Sequence, residues 1–201
     1  MASLDPDAGT AQADQPEHGV EPRIKGIAMK ATIEALMEEE ETSRKEVPDG
    51  LQHYFREPIL VSSWYPERDH QILLGVVAKV FHRPGKDVWF WMGQSTAQRD
   101  LKSLYKAMVQ VGQPITTLKR IPKIWRLYRD SGYVKVQTIG SSKGLVRIYD
   151  YPLVSPEFTR TMTGFLSEAI VISGGKRVVV NPTSGGQKIG APAIWAVSWS
   201  S

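Results

Sequence analysis

Cysteine is absent from the 201-residue chain. Its absence excludes disulfide bonds, thiolate catalysis and cysteine-ligated zinc sites. The N-terminus also lacks the basic segment followed by an apolar segment that marks a secretory signal. Both features are typical of intracellular proteins, and we expect a cytoplasmic location.

Long apolar runs are missing as well. No stretch approaches the roughly 18 consecutive apolar residues that a membrane-spanning helix requires, so we expect no membrane span. The hydrophobic fraction of 41% and the chain length together fit one soluble domain with a substantial core.

Motifs for catalysis and metal binding are also lacking. No glycine-rich segment has phosphate-loop or dinucleotide-binding spacing, and no serine lies between the glycines of a nucleophile elbow. The histidines have no metal-ligand spacing: His18, His53, His70 and His82. His70, with Asp69 and Glu67, is predicted at the exposed start of a helix, and acidic pairs are predicted on helix surfaces or in the N-terminal segment. We therefore expect a protein that is not an enzyme, with no cofactor and no metal.

Charge is unevenly distributed along the chain. Residues 1–22 carry five acidic and no basic side chains, and because the whole chain is +4, the remaining residues carry +9. This segment has few large apolar residues, so it cannot offset its ordering entropy, and we expect a disordered acidic arm. A basic body suits an anionic partner, or serves solubility alone.

The order of secondary structure predicts an α+β fold. Apolar residues recur at three- and four-residue intervals through most of the first two-thirds of the chain, which indicates helices. Two strands joined by a turn at residues 140–144, one helix and two further strands follow. This order predicts a helical N-terminal two-thirds packed with a small antiparallel four-stranded sheet. We expect one domain over residues 23–201.

Three prolines help to place helix starts. Pro66 is predicted at the first position of one helix, Pro122 in the first turn of another, and Pro156 directly after Ser155 as N-cap. The first N–H groups of a helix have no intrahelical partner, so proline costs no hydrogen bond at such positions.

Aromatic residues are concentrated at Trp89, Phe90 and Trp91, directly ahead of a predicted helix. Buried aromatic residues most often form a packed core, and we expect residues 89–92 to begin the buried side of a helical layer. If the stretch is extended instead, one face is left for a pocket or a partner. The spacing of the apolar residues does not distinguish between these two interpretations. The residues assigned to an apolar pocket wall are Trp64, Trp89, Trp91, Trp125 and Tyr128.

A basic cluster is the most pronounced charged feature of the chain. It consists of Lys119, Arg120, Lys123, Arg126 and Arg129. Lys119, Lys123 and Arg126 share one helix face at four- and three-residue spacing. Such a face suits the phosphates of nucleic acid or nucleotide, or an acidic protein, and it is also typical of a solvated helix surface.

Two segments, residues 64–81 and 92–132, resemble an uncharacterised family of paralogous proteins abundant in myxobacteria. The resemblance extends over roughly residues 24–199. The matching features are a Trp-Tyr-Pro segment, a glycine leading into a helix, a proline after that helix, and a basic helix that ends in glycine. In this chain they are Trp64 to Pro66, Gly93, Pro114, and Trp125 to Gly132.

That family is similar in turn to four-vinyl-reductase ligand-binding domains, haem nitric-oxide-binding domains and transport-particle subunits. The resemblance implies a small-molecule sensor or scaffold, frequently a homodimer, that serves a signalling partner. The zinc and haem sites of such relatives are not expected here. The zinc cysteines are absent, no histidine follows His82, and the Tyr128-Arg129-Asp130-Ser131 segment lacks the Tyr-x-Ser-x-Arg spacing of a haem-carboxylate clamp.

Two hypotheses of function follow. The first is a non-enzymatic, homodimeric sensor or scaffold module that binds a small hydrophobic or aromatic ligand, or an apolar segment of a protein partner. The second is an interaction module without a small ligand, which docks an acidic protein or nucleic acid through the basic helix 119–129. The second predicts binding that weakens steeply with salt.

Overall fold

A computed structural model of the chain describes residues 21–82, 84–185 and 192–200. The predicted acidic arm lies almost entirely outside these residues. Within the described part, no helix is both long enough and apolar enough to cross a bilayer.

The N-terminal half contains a short two-stranded sheet and three α-helices. Its elements are β1 (Arg23–Lys25), α1 (Gly26–Glu38), α2 (Glu40–Glu46), a 3-10 helix (Asp49–Phe55), β2 (Trp64–Pro66) and α3 (Glu67–Val80). Strands β1 and β2 are antiparallel, with Ile24 opposite Tyr65. Strands of three residues are too short to show the alternation of apolar and polar side chains that indicates a strand, so the sequence did not indicate this sheet.

The C-terminal half contains three more helices and the main sheet. Its elements are α4 (Val88–Lys102), a 3-10 helix (Lys106–Met108), α5 (Pro114–Tyr128), β3 (Tyr133–Ile139), β4 (Lys143–Tyr149), α6 (Pro156–Ile172), β5 (Lys176–Gly185) and β6 (Ala193–Ser200). The sheet order is β3-β4-β6-β5, and every neighbouring pair is antiparallel. The predicted α+β class and the strand-strand-helix-strand-strand order are confirmed.

The proline predictions have mixed outcomes. Pro156 begins α6, and the Ser155 hydroxyl accepts a hydrogen bond from the Phe158 N–H at 3.1 Å, as predicted. Pro66 instead ends β2 and precedes the first residue of α3. The prediction for Pro122 was wrong, because α5 begins at Pro114 and Pro122 lies inside it.

The core consists of two clusters of buried side chains. One joins α4, α5 and α6 to the main sheet around Trp195, which is fully buried. The other joins α1 and α3 to the first 3-10 helix, with Leu36 and Leu73 at its centre. The space between these clusters holds the cavity described below.

Helices α4 and α6 cross at unusually close range through two glycines. A Cβ at Gly93 would lie 1.9 Å from the Thr161 carbonyl oxygen, and a Cβ at Gly164 would lie 2.0 Å from the Phe90 carbonyl oxygen. Both obstacles are backbone atoms, which cannot move aside without shifting a whole helix. The crossing distance therefore depends on the absence of a side chain at both positions.

We expect Gly93→Ala to lower the free energy of unfolding by about 1–3 kcal/mol, because overpacking forces α4 away from α6. The matched control is Gly75→Ala in α3, where an added Cβ meets no described atom within 4 Å. That variant should gain about 0.5–1 kcal/mol from better helix propensity. Chemical denaturation measures both, and equal stability changes in the two variants would contradict the steric account.

Candidate functional site

A cavity of about 310 Å³ lies between the two core clusters. Its walls come from α1, α3, α4, α5 and α6, with Ile24 of β1 at one side. Most of its lining side chains are apolar. The lining residues that are exposed to solvent, Glu38, Trp91 and Arg99, lie on α1 and α4, so the cavity opens between these two helices.

Helix α1 leaves room for the cavity because most of its facing residues are small. Ala28, Ala31, Thr32, Ala35 and Glu38 line the wall. They recur at three- and four-residue spacing and therefore form one stripe on the helix. Larger residues at the alanine positions would fill the space, so the sequence of α1 itself keeps the cavity open.

Larger apolar side chains form the remaining walls. Leu74, Val77 and Phe81 contribute from α3 and its C-terminal end, while Met162 and Phe165 contribute from α6. Gly93 and Thr161 meet at the close crossing of α4 and α6, and both line the cavity. The crossing therefore forms part of the wall on this side.

The five residues assigned to a pocket wall divide into two groups. Trp91, Trp125 and Tyr128 line the cavity, whereas Trp64 and Trp89 are not among its lining residues. Trp64 lies in β2 beneath the Lys25 ammonium, 4.3 Å from the ring centroid. Trp89 is half-buried at the start of α4.

The aromatic stretch is helical rather than extended. The Asp87 carboxylate caps α4 by accepting a hydrogen bond from the Phe90 N–H at 3.2 Å. Trp91 is 50% exposed, whereas Met92 is buried. The expectation that residues 89–92 begin the buried side was therefore wrong for Trp91, which lies at the mouth of the cavity.

The two deep aromatic residues are held by hydrogen bonds within the protein. Trp125 donates from its indole nitrogen to the Ser131 carbonyl oxygen at 3.0 Å, and Tyr128 donates its hydroxyl to the Asp100 carboxylate. Burial, together with the Asp100 charge, raises the pKa of Tyr128 above its ordinary value. Both side chains therefore present fixed apolar faces to the cavity.

A buried carboxylate lies behind this wall. Glu67 is fully buried, and one of its oxygens accepts hydrogen bonds from Arg129 Nε at 2.6 Å and from the Tyr151 hydroxyl at 2.7 Å. Burial raises the pKa of Glu67, although Arg129 and Tyr151 oppose that effect. The Arg129 guanidinium also lies over the Trp125 ring, 4.7 Å from its centroid. This pair joins the start of α3 to the end of α5.

The prediction that Glu67 and His70 lie at an exposed helix start was wrong. His70 is only 5% exposed and lines the cavity, and its Nε2 lies 3.0 Å from the Thr32 hydroxyl of α1. Burial, with added repulsion from Arg129 and Arg99, lowers the pKa of His70 to about 3. The imidazole is therefore neutral near pH 7. The partners that bury these groups are distant in sequence, so no local pattern indicated them.

The five residues of the basic cluster also fall into exposed residues and residues bonded within the protein. Lys119, Lys123 and Arg126 are exposed on one face of α5. Arg120 donates a hydrogen bond to the Ala107 carbonyl oxygen at 3.0 Å. Arg129, a member of the basic cluster but not of this face, turns inward to Glu67 and is therefore not available to an anionic partner.

The fold is similar to that of solved H-NOX domains. An oxygen-binding H-NOX domain related to soluble guanylate cyclases, in its oxygen complex, superimposes with a TM-score of 0.64 at 9% identity, covering 88% of this chain and 95% of that chain. A mutant H-NOX protein from K. algicida in the unliganded Fe(II) state gives 0.63 at 11% identity, covering 88% and 97%. A mutant T. Tengcongensis H-NOX gives 0.63 at 8% identity, covering 88% and 98%. These likenesses establish the fold.

Sequence comparisons add no further relative. No protein-family model matches the chain, and no curated protein matches it. The expected relation to haem nitric-oxide-binding domains is thus supported at the level of fold, while the myxobacterial family stays a prediction.

We expect the free energy of unfolding to fall as the pH drops below 6.5, in part because of His70. Its pKa is about 3 in the folded protein, against an ordinary 6.5, so between these values the unfolded chain binds a proton that the folded protein does not. The slope from one such group is at most about 1.4 kcal/mol per pH unit. Urea denaturation between about pH 7 and pH 5 should show a shallower slope for His70→Gln than for the wild type. Identical slopes would contradict the burial of a neutral imidazole.

Proposed function

We propose that the protein is a non-enzymatic sensor or scaffold module that binds a small, mostly apolar molecule. The observation that carries this proposal is the cavity between α1, α3, α4, α5 and α6. Its volume of about 310 Å³ falls at the lower end of the range typical of small-molecule sites. Its predominantly apolar wall favours a hydrophobic or aromatic occupant.

The position of the cavity suits a signalling role. It is lined by members of both core clusters, with Val77 and Met92 from one and Ile124 and Phe165 from the other. A ligand in this space adds contacts to both clusters at once. It therefore favours one arrangement of the N-terminal helices relative to the rest of the domain, which a protein partner can recognise. We further propose that the working form is a homodimer.

A haem group does not fit the residues that line the cavity. His70 is the histidine among the described lining residues. Its Nε2 is bonded to Thr32, and its Nδ1 is a buried atom with almost no accessible surface, so neither nitrogen is presented to a metal. Among the described lining residues, Arg99 is paired with Asp100 and Arg129 with Glu67, each at 2.6 Å, so a haem carboxylate would compete with a protein carboxylate for either arginine. The proposed ligand is therefore smaller and carries no paired carboxylates.

The proposal is tested by native mass spectrometry of the purified protein before and after denaturation. We expect a small-molecule adduct that is released on denaturing. Ala31→Phe should abolish it, because Ala31 lines the cavity and a phenyl ring fills the space. Ala107→Phe is the control, since Ala107 is exposed and lies outside the cavity lining.

Three outcomes of this experiment contradict parts of the account. An adduct that survives Ala31→Phe would place the ligand elsewhere. An adduct with the mass of haem would contradict the conclusion that haem does not fit the residues lining the cavity. A bare wild-type mass, with no binding of added 1-methylnaphthalene either, would overturn the cavity proposal itself.

The second candidate function is docking of an anionic partner on α5. The supporting observation is that Lys119, Lys123 and Arg126 are exposed together on one helix face. Arg129 takes no part, because its guanidinium is paired with Glu67. This leaves a small patch of three exposed charges that have no ion pair among the described residues, and so small a patch favours weak binding.

We expect any binding of a duplex DNA oligonucleotide to fall with a log–log salt slope no steeper than about −3, since each neutralised phosphate contributes about −0.9. The triple change of Lys119, Lys123 and Arg126 to Glu should abolish it. Lys86→Glu, on an exposed loop, is the control. Fluorescence anisotropy measures the affinities, and equal loss in both variants would show that net charge rather than this face is responsible.

A further inference from the structure

One face of the main sheet is left uncovered by the described helices. Along β4 and β6 buried side chains alternate with half-buried or exposed ones, and the buried set, which includes Val146 and Trp195, packs in the core with α5 and α6. The strand register places the other set side by side on the opposite face, here called the outer face. Its members are Tyr133, Lys135, Gln137 and Ile139 of β3, Lys143, Leu145, Arg147 and Tyr149 of β4, Val179 and Asn181 of β5, and Ile194, Ala196, Ser198 and Ser200 of β6.

The outer face carries positive charge and no negative charge. Lys135, Lys143 and Arg147 lie on it, and strands β3, β4, β5 and β6 contain no aspartate or glutamate. None of these three basic side chains forms an ion pair with another described residue. Protein surfaces ordinarily intersperse charges of both signs, so an uncompensated basic face suits an anionic partner.

Two tyrosines lie at one end of the outer face. Tyr133 and Tyr149 are directly opposite each other in the register of β3 and β4, and their rings are stacked with centroids 5.1 Å apart. The Lys135 ammonium lies 5.5 Å from the Tyr133 ring centroid and 5.6 Å from that of Tyr149. Both tyrosines are half-buried, so part of each ring is accessible to a partner.

This combination favours a single-stranded nucleic acid over other anionic partners. Bases of a single strand stack on aromatic rings while its phosphates meet nearby cations. Four-stranded sheets with aromatic side chains on an open face bind single-stranded RNA in this way. A flat sheet face does not enter the grooves of a duplex, and an acidic peptide has no bases to place against the tyrosines.

The outer face is separate from the basic face of α5. A Cβ at Gly144 would lie 2.6 Å from Leu118 Cδ2 of α5, and Gly144 is on the buried side of β4. Helix α5 therefore packs on the covered side of the sheet, and its exposed basic residues belong to a different surface.

We propose that the outer face of the main sheet binds single-stranded nucleic acid. Tyr133 and Tyr149 stack against bases, and Lys135, Lys143 and Arg147 contact phosphates. This binding activity goes beyond the proposed ligand sensing and does not require an occupied cavity.

The test is fluorescence anisotropy with a fluorescein-labelled oligo(dT) of about 12 nucleotides, which is within the site size of single-strand-binding modules. The log–log salt slope for the wild type should be about −2, because each of three neutralised phosphates contributes about −0.7 in a single strand. Changing Lys135, Lys143 and Arg147 to Gln should weaken binding by about tenfold or more and remove most of this slope.

The matched control removes the same number of charges from the other surface. It changes three exposed residues of α5 to Gln and should bind oligo(dT) like the wild type: Lys119, Lys123 and Arg126. Equal loss in the two triple variants would show that net charge is responsible, and would overturn the assignment to the outer face.

Tyr149→Leu tests the stacking contact. We expect it to weaken binding by about tenfold, the typical effect of losing one stacked base, and we expect Tyr149→Phe to bind like the wild type because it keeps the aromatic ring. A measurement on the wild type needs no variant: the amide NMR signals of β3 and β4 should move on addition of oligo(dT), and those of α5 should not. The opposite pattern would overturn the proposal even if Tyr149→Leu fails to fold.

The remaining outcomes decide between classes of partner. Unchanged affinity in a folded Tyr149→Leu variant, or displacement of oligo(dT) by polyglutamate at equal charge concentration, would show that the face recognises negative charge alone. An acidic protein would then be the partner, and the assignment to nucleic acid would be overturned. A wild type that does not bind oligo(dT) at low salt would overturn it as well. None of these results affects the mass-spectrometric test of the cavity, so the two proposals fail independently.

Discussion

The close crossing of α4 and α6 is the constraint on which the rest of the site depends. Without a side chain at Gly93 or Gly164, the two helices approach until backbone atoms face each other. That contact fixes the rotation of α4, which leaves Trp91 at the cavity mouth and Met92 buried. The small residues of α1 face this wall, so the gap between α1 and α4 persists as a cavity.

Two buried polar contacts lie around this gap, one between the two halves of the chain and one within the N-terminal half. The Glu67–Arg129 pair joins the start of α3 to the end of α5, and the Thr32–His70 hydrogen bond joins α1 to α3. Buried polar groups of this kind cost much free energy when one partner is removed. The Glu67–Arg129 pair therefore holds the N-terminal helices against the C-terminal half, while the Thr32–His70 hydrogen bond holds α1 against α3. Both contacts lie at the edge of the space proposed for the ligand.

Features that depend on neighbouring residues could be predicted from the sequence, and features that depend on distant partners could not. The Ser155 cap of α6 and the four-stranded sheet follow from local patterns. The burial of Glu67 depends on Arg129, 62 positions later, and that of His70 involves Thr32, 38 positions earlier. Likewise, the aromatic content suggested a pocket wall. The rotation of α4 against α6 decides that Trp91 rather than Trp89 lines the cavity.

The central claim is that an apolar space remains open between α1 and α4 in the folded protein. The most direct test is a crystal structure of the protein under xenon pressure, because xenon enters apolar cavities and is easily located. The account predicts a xenon atom in contact with Ala31, Trp91 or Phe165, which all line the space. A structure without xenon there, in which Trp91 or α1 has closed over the wall, would contradict it.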